Sequence, residues 1–163
     1  YWLGCMTPYW SPKARGVIAG LSGNHSRGDI YRAVLEGIAL EQVMMTDGVA
    51  AATQAIDHIV VMGGGAQSDL WCQIVADAGS RDVRRLETVE ASSLGAAMAA
   101  AKGAGWFKSI PAASESMSGK PSRTFRPRAR ENKAYRELMA VYRDLWPTLS
   151  QWNARLQAIS GDT

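Results

Sequence analysis

An α/β fold is predicted, on three observations. Ile59–Met62 is an apolar run of strand length, followed directly by Gly63, Gly64 and Gly65. Beyond them Ser68 stands where a helix cap would, ahead of Leu70, Trp71, Ile74, Val75 and Ala78 at helical spacing. A second short strand, Val83–Leu86, then leads into a run of small helix-forming residues. With helices before and after, the order is helix, strand, helix, strand, helix, helix, which is an α/β pattern.

Taken in order, residues 1–28 are rich in Gly, Pro, Trp and Ser and read as an ordered loop, with Tyr9 and Trp10 as aromatic plugs and Val17–Leu21 as a short strand. Ser26 and Asp29 have the spacing of a capping box. They open a long helix expected to reach about Gln54, with Ile30, Val34 and Ile38 as its stripe and Leu35 and Ala39 beside it. After the helix capped by Ser68, Gly79 is the expected C′ residue. Ser92–Lys102 is nearly all Ala, Ser and Gly; it reads as a tightly packed helix stopped by Gly103. Residues 105–132 read as irregular, with Pro111, Pro121 and Pro127. Tyr135, Leu138, Tyr142, Leu145, Leu149, Trp152 and Leu156 then mark two amphipathic helical pieces, hinged near Trp146–Pro147.

Composition narrows the function classes. A chain of 163 residues with 47% apolar content suffices for one packed domain. No run of about 20 apolar residues is present, so no membrane span is expected. No signal peptide is visible, and Cys5 and Cys72 lie far apart without a CxxC spacing, so a reduced, cytoplasmic setting is expected. His25 and His58 lack zinc-ligand spacing, and no metal site is assigned. The net charge of +3 comes largely from Arg123–Lys133, which reads as a solvated connector and not a nucleic-acid surface. Two or three strands are few for an independent sheet, so the chain is expected to be a piece of a larger domain.

The strand–glycine–helix junction is where chemistry is concentrated. Glycine permits positive φ and removes the Cβ from the path of a ligand. The helix that follows adds a partial positive charge. Such a junction brings backbone N–H groups against a phosphate or nucleotide. A tight strand–helix turn is the alternative reading.

Four stretches carry a family resemblance. GVIAGLSGNHSRGDIYRAVLE, Gly16–Glu36, resembles the second signature of the FGGY carbohydrate kinases through Gly16, Ile18, Gly20 and Leu21, then Asp29 and Ile30, then Ala33, Val34, Leu35 and Glu36. TPYWSPKARG resembles the family's TP-x-W-x-P-x-ARG loop, and GGGAQSDLWCQIVAD its GGGA-x-S-x-LW-x-Q-x-x-AD nucleotide loop. VEASSLGAAMAAAKGAG resembles its E-(S/A)-x-x-LGAA helix, and the tail from Phe125 to Leu149 fits as well. The match looks most like the xylulokinase branch.

The resemblance implies part of an RNase H-like ATPase domain of the actin/hexokinase/Hsp70 type, with C-terminal helices. Residues 1–163 would be the C-terminal nucleotide-binding domain, without the N-terminal sugar domain. It implies ATP and Mg²⁺, and transfer of the γ-phosphate to a sugar hydroxyl, a pentulose such as xylulose. Gly64 and Gly65 would approach the nucleotide with their backbones, and Ala66, Ser68 and Asp69 would line the same loop near the adenosine. The catalytic base belongs to a Gly-x-x-Asp segment that this sequence lacks, so no catalytic residue is assigned and the chain alone is expected to be inactive. Trp71 is read as core, and Glu36 as a structural acid bonded to nearby backbone. The expected partners are the sugar, ATP and the N-terminal domain, with a second copy of the chain as an open alternative.

Two other functions compete. A dinucleotide-binding oxidoreductase would use Gly63-x-Gly65 and Glu87 after the next strand, but Ser68 stands where the third glycine of GxGxxG belongs. A non-catalytic interaction module would use the terminal amphipathic helices as its binding face.

Overall fold

The structure, a computed structural model, describes residues 9–88 and 90–160. Cys5, Thr7, Pro8 and Val89, which figure in the motifs above, lie outside the described residues. In chain order the elements are α1 (Arg27–Ala52), β1 (His58–Val61), a single 3-10 turn (Gly64–Gln67), α2 (Asp69–Gly79), β2 (Asp82–Leu86), α3 (Ala91–Gly103), α4 (Ile110–Met117), β3 (Pro121–Phe125), α5 (Ala129–Arg143) and α6 (Leu145–Ser160). They divide into two compact units: Tyr1–Ile56 with Ala129–Thr163, and Asp57–Arg128.

The first unit is helical. Its entry is the expected capping box: Ser26 Oγ accepts from Asp29 N at 3.4 Å, and the Asp29 carboxylate accepts from Ser26 N at 2.8 Å. The Ser26 hydroxyl also donates to Asp29 Oδ2 at 2.7 Å, and this bond, then that from Ser26 N, lowers the Asp29 pKa. The fully buried face of α1 coincides with the expected residues only at Ala39; Ile30, Val34 and Leu35 are half-buried. Ala39, Leu40, Val43, Met44 and Thr46 are buried, whereas Ile38 is exposed. Val17–Leu21 forms no strand; Ile18 and Leu21 are exposed and no neighbouring strand pairs with them among the described residues. Neither expected aromatic plug is buried: Tyr9 lies 6.4 Å from the Trp146 ring but stays exposed, and Trp10 is 68% exposed.

Polar side chains join α1 to α5. The Tyr135 hydroxyl donates to Glu36 Oε1 at 2.8 Å, Arg32 Nε donates to the same oxygen at 2.8 Å, and the Tyr142 hydroxyl donates to Glu41 Oε2 at 3.0 Å. Glu36 is thus structural, as expected, but its partners are side chains and not backbone. Helix α5 ends before Asp144, slightly earlier than the expected hinge, and Pro147 falls in the first turn of α6, where its missing N–H is tolerated.

Burial, and then the bond to Glu36, push the Tyr135 pKa up to about 12 from an ordinary value near 10. The raised value means that the folded state holds the phenol proton more tightly than the unfolded state. Stability from this group is therefore complete below pH 10 and is lost as pH rises towards 12. Tyr135→Phe is expected to lower stability at neutral pH by about 1 kcal/mol. It should also remove part of the alkaline slope; urea melts across that pH range check both effects.

The second unit is a three-stranded sheet in the order β1-β2-β3 with α2 against it. β1 and β2 are parallel, with Ile59 opposite Val83 and Val61 opposite Arg85; β2 and β3 are antiparallel, with Val83 opposite Phe125 and Arg85 opposite Arg123. The core is Cys72, Ile74, Val75, Ala76 and Ala78 of α2 against Val83, Leu86 and Phe125. Within residues 105–132 the structure has order that the sequence reading missed. Ser109 caps α4, accepting from Ala112 N at 3.3 Å, and Pro111 sits in its first turn. β3 is an edge strand that opens on Pro121 and buries only Phe125, so it carries no apolar alternation to read.

Helix ends also differ from expectation. The left-handed residue after α2 is Ser80 (φ 55°, ψ 29°), and Gly79 stays helical. Gly103 likewise stays in α3. The chain turns out at Gly105 (φ 79°), where Trp106 N bonds back to Ala101 O at 3.0 Å.

Candidate functional site

The carboxyl ends of two parallel strands are where α/β sheets bind ligands. Here β1 and β2 end side by side, on the glycine turn and on Leu86–Thr88. Between them lies a cavity of about 280 Å³ whose lining includes Gly63, Ala66, Gln67, Arg85, Glu87 and Ser122.

The three glycines of the turn are not equivalent. Gly63 adopts φ 88°, ψ −179°, a backbone region essentially reserved for glycine. The left-handed backbone therefore lies here and not at Gly65. Gly64 has no positive φ, and a Cβ built on it meets nothing within 4 Å. Gly65 is similar, with the Trp71 ring at an ordinary contact distance of 3.6 Å. Neither the backbone nor the packing of this unit requires glycine at 64 or 65. The absence of side chains leaves open space over the turn.

The other candidate residues meet at the same junction. Ser68 caps α2, its hydroxyl accepting from Trp71 N at 3.2 Å. Ala66 is buried; its carbonyl accepts from Cys72 Sγ at 3.3 Å and from Arg85 Nη1 at 3.2 Å. Burial raises the Cys72 pKa, so the thiol stays protonated. Asp69 opens α2, but its carboxylate is already engaged: Oδ1 accepts from Arg85 at 2.7 Å and Oδ2 from Arg123. Both guanidinium groups lie over the Phe125 ring, at 5.6 Å and 4.8 Å. Trp71 is half-buried, and its indole N–H has no partner.

Several expectations are corrected. Arg123 is not part of a solvated connector; it sits on β3 and pairs with Asp69. Arg128 pairs with Asp77, the one fully buried carboxylate among the described residues. The small-residue helix is not tightly packed. In α3 only Met98 and Ala101 are buried, the helix packs on α4, and a Cβ at Gly95 would meet nothing within 4 Å. Sequence reasoning missed Arg85 and Phe125. The available signal was the pair Arg84–Arg85 within a five-residue strand, two adjacent cations that call for an anion nearby. No three His, Cys, Asp or Glu residues meet in a metal-binding group among the described residues.

The sequence profile of the FGGY family of carbohydrate kinases, C-terminal domain, matches residues 1–104. The chain is 34% identical over 160 residues to a xylulose kinase of Staphylococcus epidermidis, a match covering 98% of this chain and 32% of that protein. It is 42% identical over 106 residues to a glycerol kinase of Corynebacterium glutamicum, covering 64% of this chain and 21% of that protein. Among solved structures, a xylulose kinase from Rhodospirillum rubrum superposes with a TM-score of 0.74 at 28% identity, over 86% of this chain and 28% of that one. The chain thus spans about a third or less of the length of these proteins. The expected fold class, an actin/hexokinase-like ATPase domain, is the fold of these structural neighbours.

Proposed function

The chain belongs to the FGGY family of carbohydrate kinases, and from that premise we propose that it is the ATP-binding part of a longer sugar kinase. The reaction is transfer of the ATP γ-phosphate to a sugar hydroxyl, with a pentulose such as xylulose as the acceptor. The observation that carries the nucleotide reading is the pair Gly64 and Gly65. Nothing inside the folded unit requires glycine there, so the missing side chains leave room for a close external approach, and Gly63, Ala66 and Gln67 beside them line a cavity at the carboxyl ends of parallel strands. Phosphoryl transfer is catalysed chiefly by positioning and electrostatics. A rigid backbone surface that holds one end of the nucleotide is the share of that work given to this chain.

The sheet supports a larger protein. Parallel sheets are ordinarily covered on both faces. Here, among the described residues, β1 pairs only with β2, and Val60 on it is 45% exposed. Further strands and helices, contributed by chain upstream of these residues, would complete the sheet and bring the sugar site and the base. Mg²⁺ would arrive with the ATP phosphates; no residue of this chain is assigned to it. A cytoplasmic setting suits an ATP-consuming sugar kinase, and no helix among the described residues is long and apolar enough to cross a membrane.

The test is calorimetric titration of the polypeptide with an ATP analogue and with NADH, followed by turnover with D-xylulose. Binding of the ATP analogue alone is expected, with turnover only when the upstream domain is present. Binding of NADH in preference to the ATP analogue would return the site to the oxidoreductase reading.

A further inference from the structure

We propose that Arg85 is a positioning residue that holds the turn Gly64–Gln67 and the start of α2 in one arrangement, so that the surface offered to the nucleotide is already formed before it binds. The proposal takes its purpose from the nucleotide reading above and its mechanism from geometry. Arg85 reaches from β2 with a side chain only 21% exposed. Its Nη1 lies 3.2 Å from Ala66 O, 3.5 Å from Gln67 O and 2.7 Å from Asp69 Oδ1. One guanidinium nitrogen therefore faces two consecutive carbonyls of the turn and the first side chain of the helix after it. The plane of the group is held against Phe125.

The turn needs such an outside hold. Its own bonds include Ala66 N to Gly63 O and Ser68 N to Gly65 O, both at 3.2 Å, and 3-10 bonds are poorly aligned. Its leading glycines have the largest conformational freedom to lose. A loop that is mobile when empty makes a ligand bear that ordering, whereas a clamped one does not.

Asp69 explains how the clamp is tolerated. Arg85 lies directly opposite Arg123 in the antiparallel pair, and like charges so placed repel. The Asp69 carboxylate accepts from both, so the anion that neutralises the two arginines is also the residue that ties α2 to them. Lysine could not replace Arg85: an ammonium is a point charge without the planar fork, and it does not stack in the same way on an aromatic ring.

The experiment compares wild type, Arg85→Lys and Arg85→Met in the complete polypeptide that carries this chain. Amide hydrogen exchange at Ala66 and Ser68 is measured without nucleotide, together with thermal melting, ATP kinetics and sugar affinity. A half-exposed ion pair adds little to global stability, so melting should shift by only a few degrees in Arg85→Lys. Exchange in the turn should accelerate, and KM for ATP should rise roughly tenfold while kcat and sugar affinity hold. Unchanged exchange in both variants overturns the proposal. So does faster exchange with an unchanged KM for ATP, since the clamp would then not serve the nucleotide. A wild-type protein that binds no ATP would instead sink the nucleotide reading, and the exchange data alone would then decide whether Arg85 holds the turn. If Arg85→Met does not fold, Arg85→Lys decides.

Discussion

Asp77→Ala is expected to cost the Asp57–Arg128 unit about 3 kcal/mol, at the lower end of the range for breaking a buried ion pair. Asp77 is 0% exposed. Its Oδ1 accepts from Gln73 Nε2 at 2.9 Å and from Arg128 N at 2.8 Å, and its Oδ2 accepts from Arg128 Nε at 3.1 Å and Nη2 at 2.6 Å. The carboxylate thereby ties the end of α2 to the chain leaving β3. The low end of the range applies because the Arg128 side chain is 52% exposed and can rehydrate once its partner is gone. Domains are stable by about 5–15 kcal/mol in all, so the loss is a large fraction of the total. Urea denaturation followed by far-ultraviolet circular dichroism measures it. An Asp77→Ala protein with the wild-type midpoint would mean that these hydrogen bonds are worth no more than the water they displace.

Gly64→Val is expected to leave the fold intact and to remove most of the affinity for ATP, by at least about tenfold or 1.4 kcal/mol. A Cβ at this position meets nothing in the chain, and the backbone is not left-handed, so valine fits the folded unit. What it fills is the open space over the turn. Gly63→Val should do the reverse first: at φ 88°, ψ −179° a side chain is strained, and stability should fall by about 1–3 kcal/mol before any question of binding arises. Gly65→Val is less clean, because its side chain would also press on Trp71. Paired titrations with an ATP analogue and melting curves on Gly63→Val and Gly64→Val separate the two reasons for glycine. Gly64→Val protein that binds the analogue as wild type does would reduce the triplet to an ordinary turn.

Local signals were legible in the sequence where the cause is local. The Ser26–Asp29 capping box, the strand before the triple glycine, the cap at Ser68 and the second strand each depend on neighbours a few residues away, and each is found at or within a residue or two of its expected place. The glycine turn and the family motifs are equally local, so the junction expected to hold the nucleotide could be named from the sequence. Its division of labour could not. Which of Gly63, Gly64 and Gly65 carries the left-handed backbone depends on how β1 hands the chain to α2.

Only the tertiary structure decided which charges are paired and which faces are covered. Asp69 meets Arg123 across 54 residues of chain, and Asp77 meets Arg128 across 51, so no spacing rule links either pair. The same holds for β3, which exists because β2 offers it hydrogen bonds and not because its sequence alternates. The small residues of α3 invited an expectation of close packing, yet small size permits close approach without requiring it, and the helix buries only Met98 and Ala101. Sequence by itself determined α1, the two parallel strands, the caps at Ser26 and Ser68 and the glycine junction, because short-range sterics and hydrogen bonding set them. Long-range contacts decided the arginine clamp on Asp69, the buried ion pair at Asp77 and the edge strand, because each takes its energy from groups that only folding brings together.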